Sequence, residues 1–181
     1  MQSATDILIR QGAGRLTTNR IADRAGVNIA SLYQYFPGKH AIIAELQRRH
    51  GAEARAAVRR VLVERRGSDL EATVRALVST GVAAHAVKPD LHRVFTEELP
   101  PLRYSDISAG DPSLVAEFRG LLMRSATGPK HADLTMWMVA TAANAVLHRA
   151  VVERPDELSN GSIVEELVTL LVRYLNRSNG V

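Results

Sequence analysis

Apolar residues recur along this chain at the spacing of one helix face. Ile163, Leu167, Leu170, Leu171 and Tyr174 fall at i, i+4, i+7, i+8 and i+11, which turns one stripe of a 3.6-residue helix toward a core. Val58, Val61 and Leu62 repeat the pattern, as do Leu70, Val74, Leu77 and Val78. No run alternates apolar and polar positions long enough to make a strand. Breaks fall at Gly12 and Gly14, Gly26, Pro37-Gly38, Gly67-Ser68-Asp69, Pro89-Asp90, Pro100-Pro101, Ser108 to Pro112, Gly128-Pro129 and Pro155 to Ser162. Glycine and proline end helices at such places through backbone freedom or a missing N–H. With no internal repeat and no low-complexity tract, the pattern predicts an all-α chain of about nine helices.

The run from Gly38 to Arg66 predicts a helix of roughly 40 Å at 1.5 Å per residue, long enough to join two bodies. It also spans a charge boundary. The net charge is +4, and residues 1–50 hold seven bases and three acids, whereas the rest holds 16 of each. All the net charge therefore sits in the first quarter, and a small basic head on a neutral body points to a polyanion partner for the head. Residues 1–46 are expected to form one domain and 47–181 a second, joined by the long helix.

Composition removes several function classes. With 181 residues, 46% of them hydrophobic, the chain can bury a core without staples. The absence of cysteine excludes zinc–thiolate sites, iron–sulfur clusters, cysteine nucleophiles and disulfides. The longest stretch free of charged residues and histidine, Leu134 to Leu147, is shorter than the ~18 apolar residues of a membrane span. Met1 to Arg10 lack a secretory pattern, so no membrane association is expected and the cytoplasm is the expected compartment. Without a leader, the Asn-x-Ser strings at Asn160 and Asn176 are read as chance. No G-x-S-x-G elbow, H-E-x-x-H, Walker loop or paired Glu-x-x-His occurs, so no enzyme is expected. Gly12-x-Gly14 lacks a third glycine and a preceding strand. Pro89 separates His85 from His92, so no metal site and no cofactor are expected.

The chemistry lies in residues 17–39, TTNRIADRAGVNIASLYQYFPGK. Thr17 or Thr18 can cap a helix whose short apolar face is Ile21, Ala22 and Ala25. Gly26 supplies the left-handed stop, Val27 can plug the corner, and Asn28 can cap a second helix. Leu32 and Phe36, four apart, turn inward and leave Ile29, Ala30, Ser31, Tyr33 and Gln34 facing outward. A helix, short turn and helix of this kind frees one face of the second helix for the DNA major groove. The hydroxyls of Tyr33 and Tyr35 suit phosphate oxygens. So does Lys39, at a helix start where backbone N–H groups and the dipole favour anions.

In register, Thr17-Thr18, Ile21-Ala22, Ala25-Gly26-Val27, Leu32-Tyr33, Tyr35-Phe36 and Lys39 resemble the DNA-binding signature of the tetracycline-repressor (TetR) family. The signature covers about a quarter of the chain, and the length and helical character of the rest agree with it. The resemblance implies an N-terminal helix-turn-helix domain, joined by the long helix to a C-terminal ligand-binding and dimerisation domain. It makes Thr18 and Asn19 backbone-contact positions, Asn28 to Ser31 the start of the recognition helix, and Tyr33, Tyr35 and Lys39 phosphate contacts. Leu32 and Phe36 become core.

Two features depart from the pattern. Ala4, Ile7 and Leu8 already match the middle of the first helix, so an upstream, often basic, segment is expected before Met1. The recognition helix also opens on Ile29 and Ala30, which can read thymine methyls but cannot pair with guanine. Asn28, Ser31 and Gln34 are then the polar readers, and thymines are expected in the operator where Ile29 and Ala30 reach.

For the body, the resemblance implies an effector pocket among the middle helices. The candidate lining is His85, Phe95, Leu99, Tyr104, Phe118, Leu122, Met123, Trp137 and Met138, mixing apolar bulk with a few polar handles. Pro100-Pro101 and the loop through Asp111 are candidates for a lid. Asn144 and His148, four apart, are read as hydrogen-bonded structural groups facing the pocket or a seam. The segments Asp133 to Glu153 and Ser162 to Asn176 read by themselves as core helices, and the resemblance implies that they form the interface of a homodimer.

The partners expected are double-stranded DNA, a small hydrophobic effector and a second copy of the chain. The reading is a ligand-responsive regulator, most simply a repressor that a small effector releases from a palindromic operator. The alternative is a basic helical adaptor without sequence-specific DNA binding, which would show no sequence preference when duplex binding is followed against salt.

Overall fold

The structure is a computed structural model and describes residues 1–86, 91, 94–95, 112–124 and 131–177. Among the described residues every regular element is helical, with nine α-helices and one 3-10 turn. The chain divides into two compact units, Met1–Ala52 with Lys88–Tyr104, and Glu53–Val87 with Ser105–Val181.

The first unit holds α1 (Gln2–Gln11), a 3-10 turn (Ala13–Arg15), α2 (Thr18–Ala25), α3 (Ile29–Tyr35) and the start of α4 (Lys39–Glu64). Ala4, Ile7 and Leu8 form the inward stripe of α1 and pack with Leu16, Ile21, Ile42, Ile43 and Leu46. Leu91, Val94 and Phe95 complete this core, and Leu32 and Phe36 pack against it. Phe95 is 1% exposed, and its ring lies 6.1 Å from that of His50. The candidate ligand residue Phe95 thus serves the core of the first unit. Its apolar bulk identified it as buried without showing in which core.

The second unit holds the rest of α4, α5 (Leu70–Ala86), α6 (Pro112–Arg124), α7 (Ala132–Glu153), α8 (Pro155–Ser159) and α9 (Ser162–Arg177). Val74 and Val78 of α5 pack with Leu147, Ala150 and Val151 of α7 and with Leu167, Val168, Leu171 and Leu175 of α9. Val58 and Leu62 of α4 make a second cluster with Leu114 and Leu121 of α6. An ion pair from Arg66 to Glu117 fastens the end of α4 to α6, and Arg75 reaches Glu165 from α5 to α9.

The predicted long helix is present as α4, a single run of 26 residues that supplies side chains to both cores. One predicted break proves partly helical. Pro155 opens the short α8, where a residue without an N–H loses no hydrogen bond.

Candidate nucleic-acid interface and body cavity

The geometry of residues 17–36 follows from local capping. Thr17 Oγ1 accepts the N–H of Arg20 at 3.3 Å, meeting one of the free donors at the start of α2. Gly26 stops α2 in the left-handed region at φ +65°, where a Cβ is unfavourable. Val27 does not plug the corner as expected. Its side chain is 45% exposed, and the turn is closed instead by its N–H donating to the carbonyl of Ala22 at 3.0 Å. Asn28 Oδ1 then accepts the N–H of Ala30 at 2.8 Å and starts α3.

With Leu32 and Phe36 packed on the core, α3 turns the other side outward. Asn28, Ala30, Ser31, Tyr33, Gln34 and Tyr35 are exposed and Ile29 is half-buried. Tyr35 is the most open, at 78%. The hydroxyl of Tyr33 is hydrogen-bonded to Oγ1 of Thr18 at 3.1 Å, which ties α3 to the first turn of α2. Asn19 is exposed beside it, and Lys39 is half-buried at the first position of α4. The structure therefore gathers all ten candidate DNA-contact residues on α2, α3 and the start of α4.

The basic surplus of this unit is divided between paired and open groups. Arg24 bonds Asp6 at 3.3 Å and Gln2 Nε2 donates to it at 3.1 Å, and these hydrogen bonds, Arg24's first, hold the Asp6 carboxyl below its ordinary range. Arg48 and Arg49 both clasp Glu45, at 2.7 and 2.8 Å, and lower its pKa from 4.5 to about 2. Arg10, Arg15 and Arg20 are exposed and carry no ion pair among the described residues.

In the second unit, α5, α6, α7 and α9 with Val58 of α4 line a partly open cavity of about 100 Å³. Close approach of α5 to α7 helps to bound it, since a Cβ on Gly81 would lie 2.6 Å from Leu147 Cδ1. Among the described residues the walls are aliphatic apart from the ring of Phe118, the thioether of Met136 and one polar side chain, Asn144. Asn144 Oδ1 is buried without a hydrogen-bond partner among the described residues, unlike the bonded group expected at this position.

Of the candidate ligand residues, the structure brings Phe118 to the cavity wall. His85 is buried one turn beyond Gly81. Its Nδ1 donates to the Gly81 carbonyl at 2.7 Å, and its Nε2 pairs with Nδ1 of His148 at 2.6 Å. Because a carbonyl only accepts, neutral His85 must carry its proton on Nδ1 and receive one from His148. Trp137 and Met138 lie on the opposite side of α7, 56% and 42% exposed. Leu122 and Met123 fall on α6 with side chains outside the described residues. Leu99, Tyr104, His92 and the proposed lid from Pro100 to Asp111 lie outside them altogether.

The cavity wall was hidden in the sequence because valines and leucines of ordinary core spacing make most of it. Gly81, Ala140 and Ala143 leave space by what they lack, and Asn144 was seen without its missing partner. Among the described residues no three His, Asp or Glu side chains gather as a metal would require. No described helix is long and apolar enough to cross a membrane.

A capped helix-turn-helix with an outward second helix, followed by a helical body holding an apolar cavity, defines a DNA-binding regulator with a separate body domain. Comparison with known families agrees. Residues 1–46 match the family described as bacterial regulatory proteins, tetR family, and residues 69–175 match the tetracyclin repressor-like C-terminal domain. The chain belongs to the TetR family of transcriptional regulators.

Solved structures share the fold at low identity. TetR of Acinetobacter baumannii AYE is 17% identical with a TM-score of 0.69, the match covering 97% of this chain and 92% of that one. The fatty acid degradation regulator FadR of Bacillus halodurans is 18% identical with a TM-score of 0.66, over 94% and 91%. A TetR-family transcriptional regulator of Streptomyces coelicolor is 22% identical with a TM-score of 0.63, over 98% and 95%. No curated protein sequence matches the chain.

Proposed function

We propose that this protein is a ligand-responsive transcriptional repressor that binds a palindromic operator as a homodimer and is released by a small apolar effector. Residues 1–46 read DNA and residues 47–181 bind effector and partner. The observation that carries the reading is the outward face of α3. Six of its positions from Asn28 to Tyr35 are exposed, and the helix is fixed on its inner side by Leu32 and Phe36. Asn28 Oδ1 is spent on the cap, which leaves the Asn28 amide N–H groups, Ser31 and Gln34 to meet base edges. Tyr33, Tyr35, Lys39, Thr18 and Asn19 supply phosphate contacts, and the open Arg10, Arg15 and Arg20 add attraction without sequence preference.

A dimer is supported by α7. Leu134, Trp137, Met138 and Val152 are each at least 42% exposed, and their spacing puts them on one helix face with Thr141 and Ala145. Leu170 of α9 is also 54% exposed. Open apolar side chains in this number mark a contact surface, and a second copy of the same face fits the two-fold symmetry of a palindrome. The effector site is the cavity between α5, α6, α7 and α9. A ligand that prefers dimers with mismatched recognition helices shifts the population away from DNA, and α4, one helix contributing to both cores, links the two events. Such a protein acts in the cytoplasm, and no catalytic step belongs to the reading.

Selection of sequences from a random DNA pool by the purified protein tests it. One enriched palindrome is expected, with half-sites about one turn apart or slightly more. A pool without enrichment supports the adaptor reading instead.

A further inference from the structure

We infer that Glu166 and Arg173 of α9 form reciprocal ion pairs with the partner's Arg173 and the partner's Glu166, which set two copies of α9 antiparallel and select an identical chain as the partner. This rests on the homodimer reading and narrows it to a register and a rule of recognition. The other described charged side chains of α7 and α9 are committed within the chain. Asp133 pairs with Arg119, Arg149 with Glu153, and Glu165 with Arg75, while His148 is bonded to His85. Glu166 and Arg173 are exposed and carry no ion pair among the described residues.

The two lie seven residues apart, on one stripe of the helix but beyond the i+3 and i+4 spacing at which helical charges pair with each other. Leu170 stands between them, 54% exposed, so an apolar contact is flanked by an acid on one side and a base on the other. Tyr174, four residues further on, donates its hydroxyl to the Met138 thioether at 3.2 Å, which joins this stripe to the exposed face of α7. The order of charges is self-complementary. A twofold axis passing beside Thr169 and Leu170 brings residue 166 of each copy opposite residue 173 of the other, because an isologous contact repeats every pairing in reverse. A parallel arrangement in register would set acid against acid and base against base, which repulsion disfavours. Exposed pairs add little affinity, and burial of the apolar α7 face supplies most of it. Their effect is on the choice of partner, since a helix with another order of charges at these positions meets like charge.

Sedimentation of the full chain at low ionic strength tests the pairing, using the wild type, Glu166→Arg, Arg173→Glu, an equimolar mixture of these two, and the double variant carrying both. Each single variant is expected to keep its helical content by circular dichroism and to raise the dimer Kd at least about tenfold, since two attractive contacts become two repulsive ones. The mixture is expected to regain wild-type association as a one-to-one heterodimer, read by native mass spectrometry with one copy tagged. The double variant, with its charges exchanged, is expected to regain it as a homodimer. In about 1 M salt the preference for the heterodimer is expected to shrink, as exposed charges are screened. Single variants that dimerise like the wild type, a mixture that sorts statistically, or a double variant as weak as the singles overturns the pairing and leaves the homodimer reading standing. A wild type that stays monomeric overturns both.

Discussion

Gly26 and Ile29 show how single residues divide the work of the DNA-reading unit. Gly26 sits at φ +65° with open space around the position a Cβ would take, so any cost of substitution is conformational rather than steric. Gly26→Ala is expected to lower stability by about 1 kcal/mol, read as a shift of the urea midpoint at constant slope. Ile29 is half-buried beside exposed Ala30 and Ser31, and on the proposed reading it meets a thymine methyl. Ile29→Ala is expected to relax base preference at its half-site position by about 1–3 kcal/mol while leaving non-specific affinity unchanged. Equal loss on all sequences would mean that Ile29 only supports the helix. Residue roles of this sort were legible where the chemistry is local. The caps at Thr17 and Asn28 and the stop at Gly26 depend on neighbours within a few positions. Val27 was misjudged because its side chain could fill a corner that its own N–H closes.

At the scale of elements, α3 and α7 lie at opposite ends of what periodicity can tell. On α3 the inward pair Leu32 and Phe36 is set among polar positions, so the outer face follows by subtraction. α7 is apolar nearly all round, and the pattern could not say that Met136, Val139 and Ala143 face inward while Leu134, Trp137 and Met138 face out. Bulk suggests a pocket role for Trp137 and Met138, but the residues of this helix that line the pocket are Met136, Val139, Ala140, Ala143, Asn144 and Leu147. The start of α4 carries a charge device that sequence also shows, with Glu45 three and four residues before Arg48 and Arg49. Because folding depresses the Glu45 pKa to about 2 from an ordinary 4.5, its contribution is fully present above pH 4.5. It is lost as the pH falls from there toward 2. Denaturant midpoints of wild type and Glu45→Gln are therefore expected to converge across that window. A gap that persists unchanged at pH 2 would assign the effect to something other than the carboxylate.

At the scale of the molecule, the charge found in residues 1–50 and the apolar stripe on α7 describe a chain that is finished only by partners. The head offers open arginines and an outward helix to a polyanion. The body exposes a tryptophan and aliphatic side chains on α7, the surface proposed for a second copy. Trp137→Lys, at a position 56% exposed in the isolated chain, is expected to leave the fold intact and convert a dimer to a monomer by sedimentation. DNA affinity should then fall, because two recognition helices are no longer held together. A Trp137→Lys protein that remains dimeric would move the interface elsewhere. The overall architecture was legible because the helices among the described residues, and their breaks, are written in apolar spacing and in glycine and proline. The cavity and its lone carbonyl were not, since volume and a missing partner emerge only when α5, α6, α7 and α9 are packed.

The most direct test of the central claim is the affinity of the purified protein for its selected palindrome and for a scrambled duplex, measured across a range of salt concentrations. The account predicts one dimer per palindrome. It also predicts binding at least about a thousandfold tighter than to the scramble, with log K falling linearly against log salt at about 0.9 per phosphate contacted. Equal affinity for the two duplexes, or binding that salt does not weaken, would contradict it.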